Sequence, residues 1–251
     1  GLRYLYNFVK VLGRQQIAKC MLNIVTSNTF TVDGRAQNYE GGNAAFIGFG
    51  KAIQGEYHTI TCKCIDTDED FHAIWKELRT VSEDYLAVYR KGKRYIQFID
   101  RRNGHNGRPY EFKAEGVYLL AGGLGNIGIN IANAISYWGA KHIAIISRRT
   151  LPERSNWERI LQDSEQYDSK DIQVIRRLLE REKLGSRIHL YSGDITDLGR
   201  VDEIIKDCVS KFGKINGIFQ CTGVGVGKNG ISISMGNDIM LYNSIASKIT
   251  G

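Results

Sequence analysis

GVYLLAGGLGNIG, Gly116 to Gly128, is the stretch that decides how this chain is read. Its apolar run, Val117 to Leu120, enters a glycine turn, and helical spacing leaves it. Strand, glycine turn and helix in that order are what a dinucleotide-binding crossover needs. Gly122, Gly123, Gly125 and Gly128, with Leu124 among them, supply the tight turn, the close backbone approach to a pyrophosphate and the packing of helix on strand. The N–H groups of Asn126 and Ile127 open the helix and face the phosphates, with the helix dipole behind them.

The residues downstream extend the pattern. Ile127, Ile131, Ala134, Ile135 and Trp138 recur at helical spacing and Gly139 is placed to cap them. His142 to Ile146 is a short β-branched run of the kind buried in parallel sheets, and Ser147, Arg148 and Arg149 follow it. Arg148 falls at the distance where a dinucleotide site meets the adenosine ribose. An acid there favours NAD, whereas arginine accommodates a 2′-phosphate through bidentate, charge-assisted bonds. Two arginines and no acid point to NADPH, although a solvated loop can carry the same pair. Arg187 to Ser192 reads as a third strand, Asp197 to Phe212 as a helix and Ile215 to Cys221 as a fourth strand ending in Thr222 and Gly223. Alternation at this spacing predicts an α/β fold with a doubly wound, Rossmann-like parallel sheet and ligands at the strand carboxyl ends.

With these segments in place, residues 114–251 resemble the catalytic half of a ketoreductase domain from a modular polyketide synthase, a branch of the short-chain dehydrogenase/reductase superfamily. The likeness is carried by AGGLGNIG, HIAIISRR, GDITD at 193–197 and FGKINGIFQCTG at 212–223. It implies that Asp194 and Ile195 contact the adenine and that Thr222 and Gly223 line the nicotinamide side. Ala121 stands where the family usually has Thr, and Cys221-Thr222 replaces its usual small pair. Residues 1–113 resemble the family's structural subdomain, a truncated Rossmann-like unit that carries no cofactor. Its expected elements are helices over Arg3–Gln16, Gly42–Gln54 and Phe71–Val81, strands over Met21–Thr26 and Thr59–Ile65, and a hairpin of Tyr85–Arg90 with Arg94–Asp100. The polar stretch Arg101 to Pro109 has the composition of the junction.

Reduction of a ketone by hydride needs a proton donor and an oxyanion partner. The resemblance implies that a Tyr donates the proton, a Lys lowers its pKa and a Ser positions the carbonyl. Ser247-Lys248-Ile249-Thr250-Gly251 is similar to the family's lysine segment, which makes Lys248 the candidate catalytic lysine; a solvated helix lysine would look the same. The Ser and Tyr would fall past Gly251, so either the chain is part of a longer one or something else covers the open sheet edge. Tyr6/Lys10, Tyr89/Lys93, Tyr137/Lys141 and Tyr39/Asn43 have the spacing of the family's tyrosine motifs but lie in the wrong elements. With 13 tyrosines and 34 basic residues such pairs arise by chance. Ketoreductases of one handedness carry a Leu-Asp-Asp after the Gly-Val found here at Gly223-Val224. The acid-free Gly225-Val226-Gly227-Lys228 argues against that type.

Of the 251 residues, 42% are hydrophobic and 24% charged, the balance of a globular chain. No apolar run approaches a membrane span, and GLRYLYNFVK lacks the features of a signal peptide. Five cysteines, with Cys62 and Cys64 on one face of a strand, suggest small thiols in a reducing cytoplasm. His58, His72, His105, His142 and His189 are scattered, and no metal site is expected. The net charge of +7 raises nucleic acid, yet bases and acids interleave, as in RRLLEREK at 176–183, and no nucleic-acid motif accompanies them. The expected partners are a phosphopantetheine-tethered β-ketoacyl substrate on an acyl carrier protein and neighbouring synthase domains. The expected activity is NADPH-dependent reduction to the β-hydroxyacyl thioester; a silent pseudo-ketoreductase acting as a scaffold is the alternative.

Overall fold

The computed structural model describes residues 1–15, 19–32, 40–68, 70–101, 109–163, 167–223 and 232–249. The chain divides into two compact units, Gly1–His105 with Val226–Leu241, and Asn106–Gly225 with Tyr242–Gly251. Val226–Leu241 thus group with the first unit, whereas the sequence reading puts all of residues 114–251 in the second. Residues 102–108 of the expected junction, and Val224 to Lys228, lie outside the described residues.

The second unit is built on β5 (Val117–Ala121), β6 (His142–Ser147), β7 (Arg187–Ser192) and β8 (Ile215–Gln220). All pair in parallel in the order β7-β6-β5-β8. Successive side chains of a strand point to opposite faces, so β5 and the Ile143–Ile146 stretch of β6 are apolar because both of their faces are covered. Tyr118, Leu120, Ile143 and Ile145 pack with residues of α4 (Asn126–Tyr137), α5 (Trp157–Gln162) and α6 (Ser169–Lys183). Val117, Leu119, Ala144 and Ile146 pack with Ile204 and Cys208 of α7 (Leu198–Phe212). The doubly wound parallel sheet expected from the sequence is therefore present. Strand β8 forms an edge and leaves Ile218 exposed. Helix α4 ends where the Gly139 N–H donates to the Ser136 carbonyl (3.1 Å) and the Ala140 N–H to the Ile135 carbonyl (2.9 Å), a Schellman cap.

In the first unit, β1 (Cys20–Ser27), β2 (Ile60–Thr67) and β3 (Leu86–Arg90) are parallel, and β4 (Lys93–Ile96) runs antiparallel to β3. Helices α1 (Leu2–Arg14) and α2 (Ala44–Glu56) pack with one set of sheet residues, which includes Cys62 and Cys64, while Ala73 of α3 (Phe71–Leu78) packs with the opposite set. The five cysteines are free thiols, and burial pushes the Cys62 thiol up to about 11. Two elements stop three or more residues short of expectation. Helix α3 ends at Leu78 because the Thr80 hydroxyl takes the Lys76 carbonyl at 2.8 Å. Strand β4 ends at Ile96 because its partner β3 begins at Leu86, and the hairpin turn is Lys91-Gly92, both at positive φ, the geometry of a type I′ turn. Helix α8 (Asp238–Ile249) has its first residues in the first unit and its residues from Tyr242 in the second. Among the described residues, no helix is long and apolar enough to cross a membrane.

Two buried carboxylates tie the first unit together. Glu77 receives Arg94 Nε (2.7 Å), Lys63 Nζ (2.6 Å) and the Tyr89 hydroxyl (2.7 Å). Asp66 receives the Thr26 hydroxyl (2.7 Å), the backbone N–H groups of Thr29 and Phe30, and Arg90. Hydrogen bonding from Arg94 above all, with Lys63 and Tyr89, overcomes burial and holds the Glu77 carboxyl down at about 2. A depressed carboxylate stabilises the fold above its unfolded value, and that contribution drains as pH falls through the folded value. Glu77→Gln should therefore cost about 3 kcal/mol at neutral pH, chiefly by removing the carboxylate from the buried Lys63, while Arg94 keeps Asp84 at 2.8 Å. It should also flatten the loss of stability between pH 4.5 and about 2. Denaturant melts at a series of pH values would show this, and an unchanged acid limb would refute it.

Candidate functional site

At the carboxyl ends of the second sheet a cleft of about 690 Å³ opens. It sits where the strand order reverses between β5 and β8, the point at which open α/β sheets bind ligands. The sequence alone puts many of its walls there. Gly122, Leu124, Gly125, Ser147, Arg148, Arg149, Asp194, Ile195, Thr222 and Gly223 all line it.

The glycine turn is fixed from both sides. Gly122 has φ +79°, its N–H donates to the Ile146 carbonyl at 2.8 Å, and a side chain there would meet Thr222 at 2.9 Å. Gly123 faces inward against Ile145, and Gly128 backs onto the turn, where an added Cβ would lie 2.5 Å from Gly123 Cα and 2.6 Å from the Gly122 carbonyl oxygen. These two, with Asn126 and Ile127, shape the turn and the helix start without lining the cleft.

Helix α4 begins bare. Its cap position is Gly125, with no side-chain cap and no acid in the first turn. Three other helices start on an aspartate whose side chain accepts from their first N–H groups, Asp70 at α3, Asp168 at α6 and Asp197 at α7. Among the described residues no side chain caps α4, which leaves its first N–H donors and positive dipole end to an anion. This backbone cradle fits a pyrophosphate.

The two arginines after β6 diverge. Arg149 is ion-paired with Asp171 of α6 and only about one-third exposed. Arg148 is 74% exposed and stands 3.7 Å from Asp194, a distance that leaves the pair loose. Asp194 accepts from the Thr196 N–H and hydroxyl, both at 2.9 Å, and these bonds hold its carboxyl below the usual range. Its loop is pinned further by Arg200, whose Nε donates to the Ser192 carbonyl at 2.9 Å.

Lys248, on α8, is exposed and outside the cleft lining, with its Cε 3.7 Å from where a Cβ on Gly223 would be. Thr250 and Gly251 of its motif lie outside the described residues. Tyr242, Asn243 and Ala246 also line the cleft. Among the motif look-alikes, Tyr137 sits exposed at the end of α4, and Tyr39 is outside the described residues. No group of three or more His, Cys, Asp or Glu is placed to hold a metal among the described residues. His142 and His189, distant in sequence, do meet at 3.5 Å.

Sheet order, glycine turn and cleft define a Rossmann-like α/β unit. The KR domain family model matches residues 116–251, more than half of the chain. This chain belongs to the KR domain family. A 6-methylsalicylic acid synthase of Arthrobotrys oligospora is 29% identical over 154 residues, 60% of this chain and 8% of that protein. Polyketide synthase PksL of Bacillus subtilis is 26% identical over 193 residues, 72% of this chain and 4% of that protein. The chain thus spans under a tenth of these relatives. In fold it matches a ketoreductase domain from the bacillaene assembly line with a TM-score of 0.75 at 17% identity, covering 98% of this chain and 53% of that one. A C2-type ketoreductase from a modular polyketide synthase gives 0.73 at 16%, covering 99% and 50%.

Because the atoms nearest Gly128 are backbone, a methyl group there cannot be absorbed by a side-chain rotation. Gly128→Ala should destabilise the second unit by about 1–3 kcal/mol. Gly199→Ala, where the nearest atom is 3.5 Å away on the Asp197 side chain, should cost little. Thermal unfolding of the two variants side by side tests the contrast; equal melting temperatures would contradict it.

Proposed function

We propose that the second unit binds NADPH and reduces a β-ketoacyl thioester, carried on the phosphopantetheine arm of an acyl carrier protein, to the β-hydroxyacyl thioester within a cytoplasmic polyketide synthase. The observation that carries this reading is the uncapped α4 start, whose cap residue Gly125 lines the same cleft as the exposed Arg148. When bound, NADPH supplies the hydride. The turn from Gly122 to Gly128, with the N–H groups of Asn126 and Ile127, holds the pyrophosphate. Ser147 and Arg148 take the 2′-phosphate, with Arg149 beside them. Asp194 and Ile195 flank the adenine, and Thr222 and Gly223 border the nicotinamide.

Lys248 lowers the pKa of the tyrosine that donates the proton, a role given to no tyrosine of this chain. Its nearness to Gly223, at the end of β8, supports that assignment. The first unit, whose sequence carries no glycine-rich dinucleotide fingerprint between a strand and a helix, serves as scaffold and as a contact for neighbouring synthase domains. Free cysteines agree with a reducing compartment. The silent-scaffold alternative gains no support, since the glycine turn, bare helix end and Arg148 are all retained.

Calorimetric titration with NADPH and NADH tests the reading. The wild-type chain should prefer NADPH, and Arg148→Glu should weaken NADPH by about 100-fold while changing NADH by less than about threefold. Equal affinities in the wild type, or a preference that survives the substitution, would sink it.

A further inference from the structure

A second cavity of about 390 Å³ shares Arg149 and Leu124 with the cofactor cleft. Its apolar lining comes from Ile145, Leu151, Trp157 and Leu190, and its charged lining is two arginines, Arg149 and Arg154, against one carboxylate, Glu182. The loop that forms the rim is already set. Arg149 N–H donates to the Ser147 hydroxyl (3.0 Å), Asn156 N–H to the Glu153 carbonyl (2.9 Å) and Trp157 Nε1–H to the Pro152 carbonyl (2.8 Å). Small-molecule sites have this character: preformed, several hundred Å³, apolar, with a few converging polar groups.

The arginines retain binding capacity. Arg149 meets Asp171, and Arg154 meets Glu182, each through its Nη2. Nε and Nη1 of both have no side-chain or backbone acceptor among the described residues. The Arg154 guanidinium carbon also lies 4.7 Å from the centroid of the Trp157 ring, a contact that restrains its remaining donors. An apolar floor under two part-used guanidiniums suits a molecule with a hydrophobic ring body and one acid group.

We propose that this cavity is a second ligand site, which takes a small ring-bearing carboxylate and holds its acid group on Arg154 and Arg149. Since Arg149 and Leu124 wall both cavities, the occupant is coupled to cofactor affinity. That coupling rests on the NADPH reading, whereas the binding itself does not.

The probes are 2-naphthoate and its uncharged counterpart 2-naphthalenemethanol, titrated calorimetrically into the full chain. The acid should bind saturably and about tenfold tighter than the alcohol, the worth of a charge-assisted bond. Arg154→Ala should bring the two to parity, Leu151→Trp should block both by filling the cavity, and Arg148→Glu should change neither. Thermal melts would establish that each variant is folded, and the acid-to-alcohol comparison in the wild type needs no variant. Absence of saturable binding, an acid preference that survives Arg154→Ala, or binding that Arg148→Glu abolishes would each overturn the second site. If the naphthoate pattern holds while NADPH fails to bind, the cofactor reading falls and the second site stands.

Discussion

The second unit depends on the absence of a side chain at Gly128. The first turn of α4 rests directly on the backbone of Gly122 and Gly123, at distances no Cβ could share. Two consequences follow from that contact. Ile129, Ala132 and Ile135 are carried against Tyr118 and Leu120 of β5 and Ile143 and Ile145 of β6, the main core of the unit. At the same time the uncapped N–H groups of α4 stay at the carboxyl end of β5, beside the place where the strand order reverses. Core and site are thus set by one backbone-to-backbone contact, and a change there acts on both.

The first unit shows what the same end of a parallel sheet looks like when the protein fills it. Asp66 lies near the carboxyl end of β2, Thr26 near that of β1, and Arg90 ends β3. Burial alone would raise the Asp66 carboxyl, but the bonds from Thr26, Arg90 and Thr29 lower it instead. Its oxygens are taken up by the protein's own donors, and Arg90 continues to the Phe30 carbonyl at 2.7 Å. In the second unit the equivalent end carries glycines and a bare helix start. A buried, saturated ion pair stabilises little beyond its own desolvation cost but fixes one arrangement.

Much of the second unit is legible in the sequence because its signals are local. Burial on both faces makes β5 and β6 continuous apolar runs, and burial on one face gives α7 its helical period, so the bounds of β7 and α7 fall within a residue of the sequence reading. Periodicity specifies which face of an element is buried, not what it meets. The ends of α3 and β4 escape it for that reason, one set by the Thr80 hydroxyl and the other by where β3 begins. The network around Glu77 joins β2, α3, β3 and β4 with Ser82, and no short-range pattern announces it. Tyr242 and Asn243 carry no motif; only the return of α8 to the strand ends brings them to the cleft.

Sequence treats Arg148 and Arg149 as an equivalent pair, and the fold separates them. Asp171 lies in the first turn of α6, and its carboxylate takes Arg149, leaving Arg148, among the described residues, with a loose neighbour in Asp194. At 3.7 Å that pair lies beyond hydrogen-bond reach and is largely exposed, so it contributes little by itself. A phosphate dianion brings more charge and can take two parallel N–H bonds from the guanidinium, which a carboxylate at this distance does not. Asp194, already held by Thr196, loses nothing essential when Arg148 turns to such an anion. The same acid then keeps a fixed orientation beside the cleft, available to a neutral hydrogen-bond donor. One arginine is therefore tied to α6, and the other is the more exposed of the two at the cleft.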